Sequence, residues 1–170
     1  MAQGVVVLFD RQAERAVTDL LDRLDAAGLP SARKFPPHVT FGMAAEIPKK
    51  TRAALKADLK LLAVPNLWLH ALSTFSTSEN VLMLGAVTDG ELLAVHSAVH
   101  DVLAGKVRHP NSYYLPGSWV PHCTLLHGVP DDDIVRGFQA LFPVGSIQAR
   151  ARQVAILDTA SHEVEVLVDL

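Results

Sequence analysis

Pro37-His38-Val39-Thr40-Phe41 and Pro121-His122-Cys123-Thr124-Leu125 are one pattern written twice. Each is a proline, a histidine, an apolar residue, a threonine and a second apolar residue. On an extended strand, side chains alternate between faces, so a histidine and a threonine two apart point the same way. Val39 with Phe41, and Cys123 with Leu125, then face a core. The two histidines lie 84 positions apart in a chain of 170, close to half its length. That spacing implies an internal duplication that sets two imidazoles and two hydroxyls around one cleft. A polar pair on a strand face is costly unless something hydrogen-bonds there.

The rest of the chain fits one domain of two lobes. With 170 residues, 49% of them hydrophobic, there is material for a single sizeable core. Halves of about 1–87 and 88–170 are too short to be independent domains, and no low-complexity linker divides them. The net charge of −3 excludes bulk wrapping of nucleic acid. Arg33-Lys34 and the pair Lys106 and Arg108 each precede one motif strand. They are candidates for a local phosphate patch, with solvated loop charge as the alternative. Cys123 is the only cysteine, so no intrachain disulfide can form, and a reducing, cytoplasmic setting is expected. No apolar run is long enough to cross a membrane.

In chain order, Val5–Phe9 reads as a buried strand. A helix carries Ala13, Val17, Leu20, Leu21 and Leu24 at three-to-four spacing and closes at Gly28 and Pro30. A proline-rich loop leads into the first motif strand, about 38–44, and a second helix runs from Pro48 through Leu62 to Pro65. Residues 67–75 and 81–87 read as a hairpin. A third helix begins at Asp89-Gly90, followed by a loop over 105–121 that carries Tyr113, Tyr114 and Trp119. The second motif strand covers about 122–127, a fourth helix starts at Pro130-Asp131, and strands over 147–157 and 164–170 form a final hairpin. Val81–Leu84 lies 83 positions before Val164–Leu167, so the two hairpins are expected to be equivalent.

Two histidines on opposite sides of a phosphodiester form a complete acid–base apparatus near neutral pH. One neutral imidazole takes a proton while the other, as imidazolium, gives one to the departing oxygen. Threonine hydroxyls on the same faces can hydrogen-bond the non-bridging oxygens. This chemistry requires no metal or cofactor.

The twin proline-preceded His-x-Thr strands at half-chain spacing resemble the two-histidine phosphoesterase superfamily, which includes LigT-like 2′-5′ RNA ligases and cyclic nucleotide phosphodiesterases. The resemblance implies a bilobal α+β fold of pseudo-twofold symmetry, with antiparallel sheets lining a central cleft and helices outside. It implies opening of 2′,3′-cyclic phosphates on nucleotides or RNA ends, usually to a 2′-phosphate, with reverse 2′-5′ ligation in some members. His38 and His122 would be acid and base, and Thr40 and Thr124 would bind phosphate. The expected partner is a cyclic-phosphate nucleotide or RNA end, without an obligate protein partner or a membrane. A protein that only holds a nucleotide in the same cleft is the alternative.

Phe35, Tyr113, Tyr114 and Trp119 lie near the motifs in sequence, placed to stack on a base or to cover the cleft's apolar edge. His127 should face away from His122. His96 and His100 have the i, i+4 spacing of a helical metal pair but lack the intervening glutamate of a metalloprotease. Asp131-Asp132-Asp133 reads as a helix start favoured by the dipole, and Cys123 as a small buried hydrophobe. There is no nucleophile elbow, phosphate loop or dinucleotide fingerprint.

Overall fold

Hydrophobic spacing determines most of the elements in the computed structural model, which describes residues 1–170. Strand β1 (Gln3–Phe9) buries its last six residues, and helix α1 (Arg11–Ala26) buries Ala13, Val17, Leu20, Leu21 and Leu24 along one stripe. Then come β2 (His38–Glu46), α2 (Lys49–Leu59), β3 (Leu67–Thr74), β4 (Val81–Ala86) and α3 (Gly90–Leu103). A short β5 (Arg108–Pro110) and a 3-10 turn at Ser112–Tyr114 break up the expected loop. The chain continues through β6 (His122–His127), α4 (Asp131–Leu141), β7 (Ile147–Ala149), β8 (Ala151–Asp158) and β9 (Val164–Asp169).

Two antiparallel sheets result, one ordered β5-β2-β1-β8-β9 and the other β6-β4-β3-β7. Helices α2 and α3 pack on the first and α1 and α4 on the second. The fold is thus α+β and two-lobed, with helices outside, and a single core of 37 buried residues runs through both lobes.

The order of neighbours shows how the duplication is built. β1 lies beside motif strand β2, and β4 lies beside motif strand β6. By strand pairing, the segments that match are β1-α1-β2 and β4-α3-β6. The expected equivalence of the two hairpins fails for the same reason: β4 is an inner strand beside a motif strand, whereas β9 is an edge strand. The units are also interlocked. Helix α1 leaves β1 in the first sheet to pack on the second, and α3 leaves β4 in the second to pack on the first.

The single strand expected over 147–157 is two. At Arg150 the backbone turns aside, its N–H donating to the Asp10 carboxylate (3.1 Å) and its carbonyl accepting from the Asp10 N–H (2.9 Å). Ile147–Ala149 therefore joins β3 while 151–158 joins β1. Two glycines let helices approach closely. A Cβ at Gly137 of α4 would lie 2.6 Å from Leu82 Cδ2, and one at Gly42 of β2 would lie 2.9 Å from Leu103 Cδ1 on α3.

Candidate active site

Both motif strands lie where the two sheets meet, and each is tied to the connection that leads into the other. Ala32, in the loop before β2, donates its N–H to the Leu125 carbonyl of β6 (2.8 Å). Trp119, just before β6, donates its indole N–H to the Thr40 carbonyl of β2 (2.9 Å). The backbone N–H of His38 also faces the Cys123 thiol, whose ionisation burial pushes up to about 12. Cys123 is therefore an inert part of the joint rather than a nucleophile.

The prolines explain the pairing of proline with histidine. A residue before proline is held in the extended region, and here those residues are Pro36 and Val120. Their carbonyls turn back to the following imidazoles: His38 Nδ1 donates to Pro36 O and His122 Nδ1 donates to Val120 O, both at 2.7 Å. A carbonyl can only accept, so Nδ1 carries the proton in each ring and Nε2 is left free. Two strands from different sheets thus present the same nitrogen.

The surroundings push both imidazoles toward neutrality. Burial lowers the His38 pKa, a backbone carbonyl offsets part of that, and the charge of His122 lowers it further. The charge of His122 is thus felt at His38, across the junction of β2 and β6. His122 is also lowered by burial, but the Glu79 carboxylate acts the other way on it. Each ring also meets a phenylalanine edge-on, Phe35 at His38 (6.3 Å, 87°) and Phe75 at His122 (5.2 Å, 89°). Cross-strand register puts His38 opposite Leu8 and Thr40 opposite Val6, and His122 opposite Gly85 and Thr124 opposite Met83. Each threonine therefore shares its histidine's face. Thr40 is buried and Thr124 half-buried.

The four aromatic candidates separate. Phe35 reaches His38 but is wedged against Val6, Leu8, Ala155 and Leu157. Tyr113 is 62% exposed, and half-buried Tyr114 feels the charge of Glu79. Trp119 is 9% exposed, lies parallel to His96 at 3.9 Å and packs on Phe41 at 5.0 Å, while part of it lines the groove that leads to His122. It is a structural residue that closes the edge of β2. Phe75 and Glu79 escaped the sequence reading, because a hairpin turn over 40 residues upstream points to His122 only once β4 is known to pair with β6.

Other expectations resolve into packing. His96 and His100 are buried, and each gives a ring nitrogen to a backbone carbonyl, of Tyr114 and Phe41 respectively (both 2.8 Å). Arg33 is engaged by Asp22 (2.5 Å) and Asp25 (2.7 Å), and Arg108 faces Glu46 (3.4 Å), so neither is a free phosphate clamp. In the acidic run, Asp131 accepts from Asn80 and Asp133 from Arg136, both at 2.8 Å. No helix is long and apolar enough to cross a membrane.

Comparison with known proteins agrees with this layout. The structure of Usb1 from Kluyveromyces marxianus superimposes with a TM-score of 0.50 over 99% of this chain and 98% of that one, at 8% identity, which is likeness of fold. No curated protein matches in sequence. The family model for the 2′-5′ RNA ligase superfamily matches residues 9–163, a span that contains both His-x-Thr strands. The chain belongs to the 2′-5′ RNA ligase superfamily.

Proposed function

We propose that the protein opens 2′,3′-cyclic phosphates of nucleotides or RNA ends by two-histidine acid–base catalysis without a metal, leaving a 2′-phosphate. The observation that carries this reading is the matched pair of Nδ1 bonds at 2.7 Å, which leaves Nε2 free on both motif histidines, with the charge of His122 acting on His38. Membership of a superfamily named for RNA ligation supports a phosphate ester as the substrate.

In the forward direction one neutral imidazole takes a proton from water as its oxygen bonds to phosphorus. The P–O3′ bond breaks, its electron pair stays on the ribose oxygen, and the other imidazolium protonates that oxygen. Thr40 and Thr124 stabilise the charge gathering on the non-bridging oxygens. A bound anion raises the pKa of nearby imidazoles, so the phosphate itself helps to charge the ring that must act as acid. With a ribose 5′-hydroxyl in place of water as the nucleophile, the same ring opening forms a 2′-5′ phosphodiester: the hydroxyl oxygen bonds to phosphorus, its proton goes to the base imidazole, and O3′ departs with a proton from the other.

The test is incubation of each nucleoside 2′,3′-cyclic monophosphate with the protein in EDTA, with products separated by chromatography. A 2′-phosphate made by the wild type and not by a His38→Ala/His122→Ala variant is the expected result. A cyclic phosphate that binds and is recovered intact would mean that the cleft holds nucleotides without turning them over. Activity that disappears in EDTA and returns with a divalent ion would reject the metal-free mechanism.

A further inference from the structure

The two sides of the cleft are not equivalent. Beside His38, Phe35 fills the sheet face, packed against Val6, Leu8, Ala155 and Leu157 and touching His162 at 5.9 Å between ring centres. Beside His122, Phe75 meets the ring edge-on at 5.2 Å, but the strand face next to it carries only small residues. Gly85 stands opposite His122, and Ala71 stands opposite Gly85 where a bulge interrupts β3. The nearest atom to a Cβ at Gly85 would be Ser73 Oγ, at 3.4 Å. The floor at Ala71 and Gly85 is poor in side chains, and Trp119 forms part of the wall. Above this floor is a groove of about 390 Å³ that runs from Val120 and Pro121, directly before His122, to His70 and Thr88.

We propose that this groove is the nucleoside subsite of the cleft, taking the ribose and base that carry the cyclic phosphate. The assignment rests on the cyclic-phosphate reading of the same site. The volume lies within the roughly 300–1,000 Å³ of small-ligand clefts. The floor of Ala71 and Gly85 is flat and poor in side chains, which suits the face of a heterocycle. Ser73, Thr88 and His70 line the same groove and can meet the donors and acceptors of its edge. Its lining contains no lysine or arginine, so a further phosphate is a poorer fit than a neutral base.

The placement also assigns the catalytic roles. With the nucleoside on the His122 side, the departing O3′ lies nearer His122. His122 then gives its Nε2 proton to O3′ as the P–O3′ bond breaks, while His38 Nε2 takes the proton of the attacking water. Glu79, on the His122 side, favours the charged form that an acid must start from.

The experiment is titration of the protein with adenosine 2′-phosphate, followed by NMR, with inorganic phosphate as the second ligand. The nucleotide should shift the backbone signals of Ala71, Gly85 and Thr88 as well as both motif imidazoles, whereas phosphate should shift the imidazoles alone. Ala71→Trp, at an exposed position, should weaken nucleotide binding at least tenfold. Phosphate shifts at His38 and His122 in that variant show that the cleft is still folded. Thr88→Val should weaken the nucleotide by a smaller factor. Failure of the nucleotide to bind, shifts confined to the motif residues, or undiminished affinity in Ala71→Trp would each overturn the subsite. Nucleotide seated in the groove of a protein that leaves cyclic phosphates intact would instead overturn the hydrolysis reading and keep the subsite.

Discussion

At the scale of single residues, the proposed acid–base pair is set up by a backbone carbonyl, a proline and a threonine, used twice. Pro37 and Pro121 hold the preceding carbonyls where they accept from Nδ1, so each imidazole enters the cleft with its tautomer fixed. The His-x-Thr spacing conveys most of this in advance, because alternation along a strand puts the two groups on one face. The carbonyl lock was not legible, since it depends on the backbone angle at Pro36 and Val120. Thr40→Ala and Thr124→Ala should each reduce kcat/KM by less than His38→Ala or His122→Ala does, because a hydroxyl stabilises charge without moving the proton. A threonine variant as slow as the histidine variants would assign the hydroxyl a larger part. Glu79→Gln removes the charge that raises the His122 pKa. Since the acid must be protonated, the alkaline limb of the rate profile should move to lower pH, more at low salt because Glu79 is exposed. An unmoved limb would remove His122 from the acid role.

At the scale of elements, hydrophobic periodicity made the helices and long strands legible while their partners stayed hidden. The stripe from Ala13 to Leu24 announces α1 but not that α1 crosses to the other sheet. Val81–Ala86 reads as one arm of a hairpin and is that, but it is also the strand on which the second histidine depends. Trp119 shows the limit most clearly. Its position before a motif suggested either a base-stacking platform or a cover for the cleft's apolar edge; in three dimensions it is nearly buried beside β2, with its indole N–H on the Thr40 carbonyl. Trp119→Phe keeps the packing on Phe41 and His96 but leaves the Thr40 carbonyl without its donor. Stability should fall by about 1–3 kcal/mol, the usual cost of an unpaired buried polar group. Urea denaturation reads this directly, and an unchanged midpoint would show that the bond contributes nothing. Gly137→Ala should also lower the urea midpoint, because its Cβ would lie 2.6 Å from Leu82 Cδ2 and 3.0 Å from Leu126 Cδ1, so these buried leucines or α4 would have to shift.

At the scale of the whole molecule, duplication with exchange explains how one domain carries a symmetric site at its centre. Half-chain spacing of the motifs suggested the duplication, but equal spacing cannot say which strands are neighbours, and the pairing of β1 with β2 and of β4 with β6 is visible only in three dimensions. The interlocked core has a consequence for pH. His96 is buried, with its pKa lowered to about 4 by burial first and by the neighbouring His100 charge second. His38 and His122 are lowered as well. A base whose pKa is lower in the folded protein than in the unfolded chain makes the unfolded state bind more protons between the two values. Stability should therefore be complete above about pH 6.5, the ordinary histidine value, and should fall as pH drops toward 4. Replacing His96 by Phe should flatten the part of that slope near its own titration. A denaturation midpoint equal at pH 7.5 and pH 5 would contradict this.

The central claim is that His38 and His122 divide one proton-transfer cycle between them. The most direct test is the pH dependence of kcat/KM on a nucleoside 2′,3′-cyclic phosphate for the wild type and each single alanine variant. The wild type should give a bell, because one ring must be neutral and the other charged. Each variant should retain about 10⁻²–10⁻⁴ of the activity, and each should lose a different limb. A wild-type profile with a single limb, or two variants that both keep the full bell, would mean that these histidines are not the acid and the base.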